Sequence, residues 1–287
     1  MSVDILQEKI RKTKCPILVD MAVKPEQIPG HIWEGNTQAQ AMGVYCRALL
    51  VGLKGKVPAV RFSFDQWALL GDLQTLSALT KFAAEQGFYV LLDGPSVLSP
   101  WAAERAASIF DAESGYACDG MVLCPYIGTD AIKPFLPYCK NGKSVFFAVR
   151  SPNKSAAELQ DMMTGSRLVH VAAADHVKRH AEAIVGKCGY SHIGVLTAAT
   201  NANAVMGLRS KFAGLFLLVD GLDYPGGNGK NCSYGFDRFG HGCVISVGPA
   251  ITAAWTAEGC SGEDFVELAV QAVERIRTNM NRYITIL

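Results

Sequence analysis

Eight short apolar runs punctuate the chain: "CPILVD" (15–20), "PAVRF" (58–62), "FYVLL" (88–92), "GMVLC" (120–124), "SVFFAV" (144–149), "IGVLT" (193–197), "LFLLV" (215–219) and "CVISV" (243–247). None alternates strictly between polar and apolar residues. Strands covered on both faces read this way, which is the mark of a parallel sheet. Helical patterns lie between the runs. Eight strand–helix units in roughly 250 residues match the size and period of a (β/α)8 TIM barrel. The alternative is a doubly wound open sheet, but no glycine-rich dinucleotide fingerprint follows the first run. No Pro/Gly/Ser tract divides the chain, so residues 1–287 read as a single α/β barrel domain.

Local signals mark several helices. An amphipathic helix is expected over 2–14, with mixed charge unlike a signal peptide. "LQTLSALTKFAAEQG" ends in a glycine cap. In "SPWAAERAASIF", Ser99 is the expected N-cap and Pro100 the first helical residue. "SAAELQDMM" offers Ser155 and Glu158 as a capping box. A long amphipathic helix is expected at about 262–284.

Composition narrows the function classes. The net charge of +1 gives no electrostatic reason to expect nucleic acid or an anionic membrane as partner. No apolar run approaches the ~18 residues that a membrane span needs. Nine cysteines are scattered singly with no CxxC pair. They read as reduced, mostly buried thiols of a cytoplasmic protein, and they offer no zinc site.

In a barrel of this kind the site lies at the C-terminal ends of the strands. The residues expected there are Asp20, Arg61, Asp93, Cys124, Arg150, Thr197, Asp220 and Ser246. Asp20, Asp93 and Asp220 could hold Mg²⁺ through loop waters. The favoured reading is a structural network in which Arg61 and Arg150 pair with these carboxylates, because buried charges need partners. "DGLDYPGGNGKN" (220–231) and "SVGPAI" (246–251) are glycine-rich and follow the seventh and eighth strands. Their backbone N–H groups could cradle an anion, or the glycines could simply make tight turns. His170, His176 and His180 share one helical segment that reads as solvated. His241 precedes the eighth strand, at the wrong end of the barrel. No metal site and no nucleophile elbow are expected.

The stretch "YVLLDGPSVLSP" (89–100) delivers Asp93 to a strand end and surrounds it with residues that cannot transfer a proton. Seven segments together explain where it sits. "ILVDMAVKPEQIP" is similar to "VGLDPxPExxP", "KVPAVRFSFDQW" to "VPAVKPQxAFFE" and "CPYIGTDAIKPF" to "NPYLGxDxxxPF". "AVRSPNKSAAELQD" is similar to "VRTSNPSxxELQD", and "GYSHIGVLTAAT" to "GYSxVGxVVGAT". "LFLLVDGLDYPGG" is similar to "xFLVPGxGAQGG", and "GCVISVGPAITAAW" to "GxVVNSSRAIxxAW". In this order and register the chain resembles the orotidine 5'-phosphate decarboxylase family, in its longer bacterial type, over nearly its whole length.

The resemblance implies a cofactor-free lyase of pyrimidine biosynthesis that acts as a homodimer. Its catalytic motif, "DxKxxDI", falls on "LLDGPSVLS". Asp93 remains, but Pro95 stands at the catalytic lysine and Leu98 at the aspartate that crosses the dimer interface. The first-strand aspartate falls on Ala22 and the second-strand lysine on Arg61. Pro152, Pro225 and Pro249 stand at the pyrimidine-reading serine, the seventh-loop glutamine and the phosphate-gripping arginine. Proline offers no side-chain donor and leucine no charge. Each lost acid or electrostatic donor costs roughly 10²–10⁴-fold in rate.

The first expectation is therefore a homodimeric pseudoenzyme that binds or regulates. The second is an enzyme of altered chemistry that uses Asp93 and Arg61 on a sugar phosphate or other small anionic ligand. Asp20, Asn153, Gly226, Gly227, Lys230 and Gly248 would then bind the ligand and its phosphate, and Cys124, Arg150 or Lys154 could assist. The third is the family's own decarboxylation.

Overall fold

The structure is a computed structural model that describes residues 2–94, 101–257, 259 and 261–287. Each of the eight apolar runs coincides with a strand, which in four cases ends one residue past the run: β1 (Ile17–Asp20), β2 (Ala59–Ser63), β3 (Tyr89–Asp93), β4 (Gly120–Leu123), β5 (Ser144–Ala148), β6 (Ile193–Ala198), β7 (Leu217–Asp220) and β8 (Cys243–Val247). They are parallel and close into a barrel, with β1 bonded to both β2 and β8. Nearly every strand residue is buried, because side chains fill the barrel on one face and meet the helices on the other. That double burial is why the runs do not alternate.

The register identifies the inner face. Residues directly opposite in a parallel pair share a face, as do residues two apart on one strand. Asp20 stands opposite Arg61, Ser63 opposite Asp93, Ala198 opposite Asp220 and Leu18 opposite Ser246. Arg61 on β2 reaches Asp220 on β7, three strand positions away, which is possible only through the interior. Asp20, Arg61, Asp93, Asp220 and Ser246 therefore point into the barrel. Thr197, one residue from Ala198, points to the helices, so it is not a mouth residue.

The opposite end is closed. The helix Ser2–Thr13 lays Val3, Leu6 and Ile10 against the barrel. Its Ser2 hydroxyl lies 2.6 Å from Tyr89 Oη, which lies 2.6 Å from Ser144 Oγ inside the barrel. The helix stops at Thr13 because Lys14 takes a left-handed conformation at φ 50°.

Several local expectations change. The C-terminal helix runs over Phe265–Met280 rather than about 262–284. It is preceded by Gly262 at positive φ, packed on Pro29, and followed by turns at 281–283. Ser99 and Pro100 lie outside the described residues, and the helix after β3 spans Ala102–Phe110. The capping box at Ser155 and Glu158 does not form. That segment is a 3-10 turn, Lys154–Glu158, followed by a small hairpin of Met163–Thr164 with Arg167–Leu168. The expected helix gives way because Gln160 and Asp161 are pulled back to Ser151 and Arg150.

Candidate functional site at the barrel mouth

The mouth is organised around one guanidinium. Arg61 Nη2 donates to Asp20 Oδ2 and, at 3.1 Å, to Asp220 Oδ2. Asp20 Oδ1 also accepts from the Ala22 amide at 3.1 Å, and Asp220 Oδ1 from the Gly221 amide at 2.7 Å. The strand-end carboxylate of β1 is thus Asp20. Ala22 lies two residues beyond it and serves it through its backbone.

Burial is the main perturbation of these groups. It pushes the Asp93 carboxyl up to about 6; Arg61 opposes this, and Asp20 and Asp220 add to it. The Asp220 carboxyl is also raised by burial against the pull of Arg61. Burial opposes the charge on Arg61, but Asp20, Asp220 and Asp93 hold its pKa well above the usual range. Arg61 Nε and Ser246 Oγ, both buried, have no hydrogen-bond partner among the described residues.

Arg150 does not join this group. It forks onto Asp161, with Nε to Oδ1 at 3.0 Å and Nη2 to Oδ2 at 2.9 Å. Asp161 therefore lies below the ordinary carboxylate range, chiefly through the Arg150 hydrogen bonds and against burial. His170, expected on a solvated helix, is buried instead. Its Nδ1 lies 2.9 Å from the Gln160 carbonyl and 3.2 Å from Asp161 Oδ1. His176 and His180 do share a face, with ring centroids 5.6 Å apart, and His176 meets Thr129. Among the described residues, no group of three or more His, Cys, Asp or Glu side chains could hold a metal ion.

The residues expected to hold phosphate are differently engaged. The Gly227 amide donates to Tyr224 O at 2.9 Å, closing a turn. Gly226 takes a φ of 92°, and its carbonyl accepts from Asn231. The Gly248 amide donates to Asp223 Oδ2 at 3.0 Å, and the Ala250 amide reaches the same oxygen at 3.4 Å. An anion does sit at this corner, but it is the chain's own carboxylate. Pro249 between them has no N–H to offer. Lys230 is exposed on the short helix Gly229–Ser233. Asn153 is exposed and accepts from the Ser151 hydroxyl at 2.6 Å. Lys154 is also exposed, and Cys124 is half-buried just past β4. Pro152 packs against Gly221, where an added Cβ would meet it at 2.6 Å.

Sequence reasoning missed Asp161 and Asp223. The signal for Asp223 was its place in "DGLD", three residues past a strand end. Pro95 and Leu98 lie outside the described residues. The sequence contains no lysine anywhere from residue 82 to 132, so neither the end of β3 nor the helix after it can supply one.

No family profile matches the chain. Individual proteins do. An orotidine 5'-phosphate decarboxylase of Caldicellulosiruptor saccharolyticus is 24% identical over 303 aligned residues, which cover 98% of each protein. One from Clostridium kluyveri is 32% identical over 171 residues, 58% of each. The chain is a relative of the orotidine 5'-phosphate decarboxylases. The fold agrees. A structure of Leishmania donovani OMP decarboxylase superposes with a TM-score of 0.71 at 20% identity, covering 97% of this chain and 99% of that one. A Toxoplasma gondii structure titled for the same decarboxylase gives 0.81 at 21% identity, covering 97% and 98%. The shared fold accounts for the barrel. Among the described residues, no helix is long and apolar enough to cross a membrane.

Proposed function

We propose that the chain is a non-decarboxylating member of this family that binds a small molecule at its barrel mouth, as a cytoplasmic homodimer. The observation that carries the reading is the end of β3. A carboxylate is delivered there, no lysine lies within the following strand–helix unit, and Pro95 stands where the family's proton donor falls. Without a cofactor as electron sink, the protein itself must stabilise and protonate the carbanion left by CO₂. Arg61 cannot replace a lysine as acid, since a guanidinium among three carboxylates does not release its proton. The Asp223 carboxylate at Gly248 and the proline at 249 argue in the same direction for the phosphate.

Exposed apolar side chains support the dimer. Leu69, Trp101, Tyr126, Ile127, Met162 and Met163 stand on the segments that follow β2, β3, β4 and β5. The strands these segments follow are neighbours in the barrel. Free cysteines support the cytoplasmic placement.

Thermal denaturation with orotidylate and UMP tests the binding claim. A ligand at 100 times its Kd raises stability by about 2.7 kcal/mol. Neither nucleotide should do so, and a clear shift with either would return the chain to the nucleotide binders.

One observation favours a second reading, an enzyme of altered chemistry. Asp93, with its carboxyl near 6, is poised to exchange a proton around neutral pH beside Arg61. A bell-shaped rate profile with a limb near that value, lost in Asp93→Asn, would establish it.

A further inference from the structure

The charge balance of the mouth runs against the substrate class of the family. Asp20, Asp93 and Asp220 face one another around a single guanidinium. Asp223 joins them from the seventh loop: a Cβ on Gly248 would lie 3.6 Å from Asp20 Cβ and 3.7 Å from Asp223 Oδ2. Arg150 is spent on Asp161. Four carboxylates thus gather at the mouth, where Arg61 is bonded to two of them and Arg105, beyond the end of β3, lies over the Phe64 ring; the excess of negative charge repels a phosphate dianion.

Two further groups point to a ligand. Ser246 is fully buried, and its Oγ has no partner among the described residues. It stands opposite Leu18 on the inner face, two residues below the level of Asp20, so it points into the barrel beneath the Asp20–Arg61 pair. Arg61 Nε is likewise buried and unpartnered. Buried polar groups of this kind are normally satisfied, by the protein or by what it binds. Above them Tyr224 is half-exposed, and its hydroxyl feels Asp220, Asp223 and Asp20. Carboxylates accept hydroxyl protons in pairs, a free hydroxyl and guanidine N–H complete the set, and an aromatic face packs on C–H groups.

We propose that the mouth takes a neutral sugar without phosphate, and that Asp223 is the residue that turns the phosphorylated form away. The inference rests on the mouth being a ligand site. It specifies a ligand that offers several hydroxyl donors and no anionic group. Asp223 fills the corner at Gly248 and Ala250 with a fixed negative charge, and Asn at this position would keep the shape while removing that charge.

Calorimetric titration of the full chain with two matched pairs tests this: ribose against ribose 5-phosphate, and glucose against glucose 6-phosphate. At least one free sugar should saturate the protein and bind about tenfold or more tighter than its phosphate ester. In Asp223→Asn, shown to be folded by circular dichroism, that ratio should fall about tenfold. Tighter binding of either phosphate ester to the wild-type chain would overturn the proposal. So would an unchanged ratio in the folded variant, or no saturation by either free sugar. Orotidylate turnover, measured separately, decides the decarboxylation reading, so each can fail without the other.

Discussion

Arg61 on β2 donates to Asp220 on β7 at 3.1 Å, across three strand positions of a closed barrel, while the same nitrogen holds Asp20. One side chain thereby ties together three parts of the mouth. Replacing Arg61 by Met keeps its bulk and removes its charge. The buried carboxylates around it are then uncompensated, and breaking a buried pair in this way costs about 3–5 kcal/mol. Urea denaturation of Arg61→Met at neutral pH should show a loss of that order. A loss below about 1 kcal/mol, the size of an exposed pair, would mean that the network is solvated.

Asp93 gives a pH dependence of definite sign. Its folded carboxyl lies near 6, against 3.8 for the free group, so the native state holds its proton more tightly than the unfolded state does. Stability from this group is full below pH 3.8 and is lost as pH rises through about 6. Asp93→Asn should therefore be more stable than the wild-type chain at alkaline pH, by about 1–3 kcal/mol. The difference should shrink as the pH is lowered toward 4. Denaturant midpoints of both proteins across that range check it, and a variant less stable than wild type at high pH contradicts it.

Asp161 holds the segment after β5. Its carboxylate takes both arms of Arg150 and faces His170, and all three tie the 3-10 turn and hairpin to the strand end. Asp161→Ala leaves a buried guanidinium with Ser151 O and Thr200 Oγ1 as its remaining partners. It should cost about 2–4 kcal/mol, because the partner charge stays buried. Limited proteolysis should cut first between residues 151 and 168. An unchanged cleavage pattern would show that the hairpin holds without the latch.

The exposed apolar side chains make the proposed dimer testable. Leu69 is 90% exposed and Met163 62%, unusual values for large apolar side chains that stay in water. The double variant Leu69→Lys, Met163→Lys should sediment as a monomer where the wild-type chain sediments as a dimer, with unchanged circular dichroism. A monomeric wild-type chain at micromolar concentration would end this part of the account.

The barrel was legible because its signal is local. A strand buried on both faces must be apolar throughout, and eight such runs separated by helical patterns leave few architectures. Glycine marked helix ends correctly where positive φ was needed, as at Gly87. The site was legible only to the extent that it lies on strands. Asp20, Asp93 and Asp220 could be placed at strand ends by counting, with Arg61 two residues short of one, but their pairing depends on which strands the closed barrel brings face to face. Thr197 shows the limit, since an error of one residue turns a side chain to the opposite face. Loop contacts carried no periodic signal. Arg150 finds Asp161 eleven residues away because the intervening chain folds back, and local propensity favoured a helix there. Asp223 was hidden for the same reason: only the folded seventh loop brings its carboxylate to the Gly248 amide.

The most direct test of the central claim is orotidylate decarboxylation by the purified chain, followed as release of labelled CO₂ from carboxyl-labelled substrate. On the proposed reading the lysine, the paired aspartate and the phosphate grip are all missing, and at about 10²–10⁴-fold each this predicts no release above a heat-inactivated control. Turnover at ordinary enzymatic rates, about 1 s⁻¹ or faster, would contradict the account. It would mean that a group other than a lysine after β3 protonates the carbanion.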